Sequence, residues 1–123
     1  MQATIRIAPL SVNRAYHPII MRGKSRRIAL ALTPEARLFK AVIAGSVKRH
    51  VITCPVEVEI HFTFKTKASD IDNPLKILLD SLQGIWYARD SQIYKLTVVK
   101  KIGTPSVWIR CDPMENQPAG CLK

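Results

Sequence analysis

Residues 56–64 read VEVEIHFTF. Val56, Val58, Ile60, Phe62 and Phe64 alternate with Glu57, Glu59, His61 and Thr63. That is the period of a strand with one buried and one solvated face. His61 falls on the polar face, so it reads as a surface residue rather than a ligand. The chain then continues KTKASDIDNPLKILLDSLQG over residues 65–84. Pro74 suits the first position of a helix, which makes Asn73 the expected cap. Leu75, Leu78, Leu79 and Leu82 form an apolar stripe, and Gly84 ends the run.

Upstream, Thr33-Pro34-Glu35 has the chemistry of a helix start: a hydroxyl cap, a proline with no amide to lose, and an acid at the positive end. Ala36, Phe39, Val42, Ile43 and Val47 recur at helical spacing, which predicts a helix reaching nearly to His50. QATIRIA at 2–8 reads as a short strand. QIYKLTVVK at 92–100 and SVWIRC at 106–111 read as two more, and Gly103-Thr104-Pro105 between them predicts a hairpin. The order is β-α-β-α-β-β, a single α/β domain with a mixed sheet of about four strands and two main helices. The domain is expected over residues 1–112, with a flexible tail at 113–123.

Nineteen Lys and Arg stand against nine Asp and Glu, a formal charge of +10. Such a balance points to a polyanionic partner, nucleic acid first. Residues 9–31 lack a clear period, carry Arg14, Arg22, Lys24, Arg26 and Arg27, and precede the first acid, Glu35. They read as a phosphate-binding arm. Cys54, Cys111 and Cys121 have no metal-ligand spacing, and their odd count predicts no disulfide framework. A reducing, cytoplasmic setting is expected. No apolar run approaches the roughly 18 residues of a membrane span, and residues 1–10 do not read as a signal peptide.

A chain with so few acids nevertheless places Asp70, Asp72 and Asp80 together, around Lys76. In an extended segment positions i and i+2 point the same way, so Asp70 and Asp72 should face one side while Ile71 turns to the core. Two carboxylates held close repel unless a cation, a proton or water lies between them. Lys76 stands in the first turn of its helix, where the dipole disfavours it, so a role toward a phosphate is expected. Asp90 precedes a strand, and would join Asp70 and Asp72 if that strand lies beside residues 56–64. Three carboxylates around a gap form an oxygen cage suited to Mg²⁺, an ion equipped for phosphodiester hydrolysis. Helix caps and solvated surface acids are the plain alternative.

DIDNPLKILLDSL, followed by GIW, then DSQI and a KLTVVK strand, resembles the RusA family of Holliday-junction resolvases. PLSVNRAYHP near the start resembles the family's opening segment. The resemblance implies a homodimer that nicks two opposed strands of a four-way DNA junction, using Mg²⁺. It assigns the essential acids to Asp70, Asp72 and Asp90 and the active-site lysine to Lys76, with Asp80 as a further acid. It gives the DNA backbone to Arg14, Arg22, Lys24, Arg26, Arg27 and Lys67. Members occur in bacteria and commonly in prophages. Many carry two consecutive acids where this chain has Arg89 and Asp90. Two rival readings stand beside it: a basic nucleic-acid binder without catalysis, and a metal-dependent nuclease acting on other branched DNA or on RNA.

Overall fold

The alternating strand takes the central place that its pattern favours. In a computed structural model that describes residues 1–21 and 27–114, β1 (Gln2–Ile5), α1 (Val12–Ala15), β2 (Tyr16–Met21), β3 (Arg27–Leu32), α2 (Pro34–Ser46), β4 (Val56–Phe64), α3 (Leu75–Leu82), β5 (Ile93–Ile102) and β6 (Ser106–Pro113) follow in order. Four strands form a mixed sheet in the order β1-β6-β4-β5, while β2 and β3 pair separately. The even residues of β4 are buried and the odd ones half-buried. Val56, Ile60 and Phe62 meet Phe39 and Ile43 of α2 and Ile77, Leu78 and Leu82 of α3 in one core. The opposite face of the sheet is polar. There Glu59 pairs with Arg110 at 3.0 Å and with His61 at 2.6 Å, and His61 packs edge-on to Trp108.

The expected two main helices and mixed four-stranded sheet are present. The expected hairpin of the last two strands is not. β5 pairs with β4 in parallel, β6 pairs with β4 in antiparallel fashion, and β4 lies between them. Residues 103–105 therefore pass over the end of β4, where Gly103 donates its N–H to the Phe64 carbonyl at 2.9 Å. A short connection was read as a link between neighbours. The crossover through α3 makes a parallel return possible instead, and both sides of the apolar β4 gain a partner.

Thr33 caps α2 as expected, accepting the Ala36 N–H at 3.2 Å. The helix stops at Ser46 rather than near His50, and Ser46 Oγ donates back to the Val42 carbonyl at 2.6 Å. Asn73 does not cap α3, which begins after Pro74 with no side-chain cap. The stretch expected to be an irregular loop at 9–31 contains α1 and the β2–β3 hairpin. Arg22, Lys24 and Arg26 lie outside the described residues, as does the tail from residue 115. β6 extends to Pro113, and Met114 donates to the Pro55 carbonyl at 3.0 Å, so the sheet runs slightly past the expected domain end.

Cys111 is a free, buried thiol, and burial pushes its ionisation up to about 12, which keeps it protonated. Cys54 is disulfide-bonded, against the expectation from the cysteine count. Among the described residues no helix is long and apolar enough to cross a membrane.

Gly84 turns the chain out of α3 at φ 79°, and a Cβ there would meet no atom within 4 Å. Gly84→Ala should therefore cost only backbone strain, about 1–2 kcal/mol. Chemical denaturation of wild type and variant measures it; an unchanged midpoint would show that the turn relaxes at no cost.

Candidate active site

The crossover between β4 and α3 carries the first two acids. Three contacts fix its path. Lys100 of β5 donates its ammonium to the Lys67 carbonyl at 2.8 Å and to the Ser69 carbonyl at 2.5 Å. Val12 of α1 donates its N–H to the Asn73 carbonyl at 2.8 Å. Leu75 donates its N–H to the Asp72 carbonyl at 3.1 Å. The Asn73 amide then donates to Asp70 Oδ2 at 3.3 Å, which explains why its side chain is not a cap. Asp70 and Asp72 are exposed, and Ile71 is 39% exposed rather than turned into the core. A cleft of about 210 Å³ opens at Asp70, with Ser11, Arg14, Phe64, Ser69 and Asn73 in its walls.

The other two predicted residues of this region face each other. Lys76 Nζ lies 3.4 Å from Asp80 Oδ2, so it answers its own helix rather than Asp70 or Asp72. Tyr16, at the root of the β2–β3 hairpin, donates its hydroxyl to the same Asp80 oxygen at 2.5 Å, and Gln83 donates to Oδ1 at 3.1 Å. The Lys76 ammonium also lies 5.4 Å from the centre of the Tyr16 ring. Burial first, then the hydrogen bond to Asp80 and its charge, pushes the Tyr16 phenol well above its ordinary range. Tyr16 lies in PLSVNRAYHP, which the sequence marked only as resembling the family's opening segment, with no role given to the tyrosine. It ties the hairpin to the helix that carries Lys76.

Asp90 opens a short 3₁₀ turn, Asp90–Gln92, just before β5. Gln92 holds that turn in place with every hydrogen-bonding position of its amide. Its oxygen accepts the Ala88 and Arg89 N–H groups at 2.8 and 2.9 Å, and its nitrogen donates to the Ile52 and Cys54 carbonyls at 2.8 and 3.0 Å. The glutamine of DSQI is thus a structural clamp. Strand β5 does lie beside β4, but in parallel, with Ile93 opposite Val56 and Ile102 opposite Phe64. Asp90 therefore sits at the start of β4, while Asp70 and Asp72 follow its end. Among the described residues of one chain, no three acidic, histidine or cysteine side chains gather as metal ligands do.

The ion pairs divide the acids into two sets. Glu35 pairs with Arg14, Glu57 with Lys95, Glu59 with Arg110 and His61, Asp80 with Lys76, and Asp112 with Arg110 and the amino terminus. Asp70, Asp72 and Asp90 have no cationic partner among the described residues, in a chain of formal charge +10. Of the cations expected to meet DNA, Arg14 is exposed but paired with Glu35 at 2.7 Å, and Lys67 is exposed. Arg27 opens β3.

The sequence model of the RusA endodeoxyribonuclease family matches residues 20–111. The chain belongs to that family. The RusA match contains all four predicted acids, Lys76 and the whole β4-α3-β5 unit. It begins after PLSVNRAYHP, so that opening segment lies outside it. No curated protein matches the chain.

Tyr16→Phe keeps the ring and removes the bond to Asp80. We expect a loss of about 1 kcal/mol, since the half-exposed setting reduces the value of a charged hydrogen bond. The raised phenol pKa places this contribution below the unfolded value of about 10, and it fades only as pH rises through the folded one. The difference between the two proteins should hold from about pH 6 to 9. Thermal melts across that range read it directly; equal stability throughout would show that the bond is inert.

Proposed function

We propose that the chain is a Mg²⁺-dependent endonuclease that resolves four-way DNA junctions, acting as a homodimer. The observation that carries this reading is the pattern of ion pairing. Among the described residues, the three acids without a cationic partner are the three that the RusA resemblance assigns to metal binding. Family membership supplies the reaction class, hydrolysis of a DNA phosphodiester.

The donor set fits the ion. Asp70 and Asp72 offer exposed hard oxygens from one tethered loop, and magnesium needs only one or two carboxylates beside water and phosphate oxygens. A magnesium ion held there would supply Lewis-acid polarisation of the phosphate and of a water. The rest of the reading concerns the chain's own groups. Lys100 and α1 hold the loop so that both carboxylates face solvent. Lys76 stands one turn away, its side chain 56% exposed, where it can meet a phosphate oxygen by leaving a weak pair with Asp80. Arg14 lines the cleft beside Asp70 and can exchange Glu35 for the DNA backbone. Arg22, Lys24, Arg26, Arg27 and Lys67 would add phosphate contacts along the arm and the loop.

The second reading, a binder without catalysis, draws on one observation: the three acids do not meet within one chain. Cleavage assays separate the two. With Mg²⁺, wild type should place paired nicks in a synthetic four-way junction and spare linear duplex, and EDTA should stop it. Asp70→Asn, Asp72→Asn and Asp90→Asn should each lower nicking by on the order of 100-fold or more while junction binding persists. Lys76→Ala should slow nicking strongly without unfolding the protein. Wild-type binding with no cut under any divalent ion would leave only the binder.

A further inference from the structure

A basic stretch follows α2 and packs against the far end of α3, away from the acidic loop. α2 stops at Ser46, and the chain leaves it in extended form at Val47, with φ −122° and ψ 145°. Lys48, Arg49 and His50 come next. Four hydrogen bonds fix this stretch against the turn after α3. The Trp86 indole donates to the Lys48 carbonyl at 3.0 Å, and Arg49 Nε donates to the Gly84 carbonyl at 3.1 Å. The His50 and Ile52 N–H groups donate to the Ile85 and Trp86 carbonyls at 2.8 and 2.9 Å. Trp86 is itself part of the core, so the stretch is anchored to the body of the domain.

Lys48, Arg49 and His50 are nevertheless exposed, and they line a cleft of about 390 Å³ that has Trp86 in its wall. Among the described residues that line this cleft there is no acid. Arg14, Lys76, Lys95 and Arg110 are each answered by a carboxylate, whereas Lys48, Arg49 and His50 have no ion-pair partner among the described residues. Asp112 approaches Met1 at the edge of the cleft, but the amino terminus and Arg110 engage it at 3.2 and 3.5 Å. A concave surface lined by charge of one sign draws the opposite charge to it. The length of α3 separates this cleft from the acidic loop. Its eight residues span about 12 Å, roughly four base-pair steps of 3.4 Å.

We propose that the cleft of Lys48, Arg49 and His50 is a phosphate-binding site for the DNA backbone, separate from the acidic loop and from the basic arm at 9–31. The proposal rests on the reading that the polyanion this chain meets is DNA. Phosphodiester oxygens accept from ammonium, guanidinium and imidazole N–H groups whatever the base, so a site of this composition fixes where an arm of DNA lies and not which sequence it carries. A contact at the far end of α3 sets the direction in which an arm leaves the acidic loop. The backbone that carries the three cations is already held by Trp86, Gly84 and Ile85, so binding has little main-chain freedom left to remove.

Binding of a synthetic four-way junction in EDTA tests this without cleavage. Lys48→Gln with Arg49→Gln should weaken binding about tenfold and lower the slope of log affinity against log salt by about two, the loss of two phosphate contacts. Lys48→Gln alone, which touches none of the four bonds above, should lower the slope by about one with the fold retained by circular dichroism. Arg6→Gln with Lys101→Gln removes the same charge from exposed positions outside the cleft and should leave the slope near the wild-type value. Equal losses in the two double variants would show a diffuse field in place of a site and overturn the proposal, as would wild-type binding by Lys48→Gln with Arg49→Gln. Calorimetry with inorganic phosphate separates a free anion from DNA. Phosphate uptake that needs Lys48 and Arg49, beside junction affinity indifferent to them, overturns the assignment to DNA. A wild type that binds the junction through this cleft but never cuts it leaves the site standing and counts against the nuclease reading.

Discussion

The parallel pairing of β4 with β5 is the constraint on which the rest of the molecule depends. Parallel neighbours cannot be joined by a tight turn, so the chain must cross over, and it does so through α3. That crossover buries Ile77, Leu78 and Leu82 against the sheet and closes the core. It also places the start of α3 beyond the end of β4, where the acidic loop must then lie. With β5 on one side of β4 and β6 on the other, β5 becomes one edge of the sheet and β1 the other. The position of the acids, the distance to Asp90 and the open edge all follow from one register.

A crossover loop is ordinarily the least fixed part of such a unit. This one is held from several directions, and each tether comes from a different part of the chain. Lys100 reaches it from β5, Val12 from α1, and Tyr16 reaches the following helix through Asp80. The last contact is of particular use, because Tyr16 begins β2 and so joins the base of the hairpin to the helix of Lys76. A group that must place a charge against a phosphate gains from being held before the substrate arrives. Asp70 and Asp72 are held on that loop without a cationic partner among the described residues.

What the sequence made legible was local. The strand 56–64 and the helix start at Thr33 announce themselves through period and cap chemistry, and both stand where they were read. The acidic loop was visible through composition and spacing, because nine acids in a chain with nineteen cations make any cluster noticeable. The misreadings were non-local. A three-residue link between two strands looks the same whether they pair or straddle a third strand. The β2–β3 hairpin escaped notice because its strands lack strict alternation and carry Pro18. Asn73 looked like a cap, yet its carbonyl serves α1 and its amide serves Asp70. Gln92 and Lys100, which position the Asp90 turn and the acidic loop, carry no signal of their own, because their partners are backbone carbonyls distant in sequence.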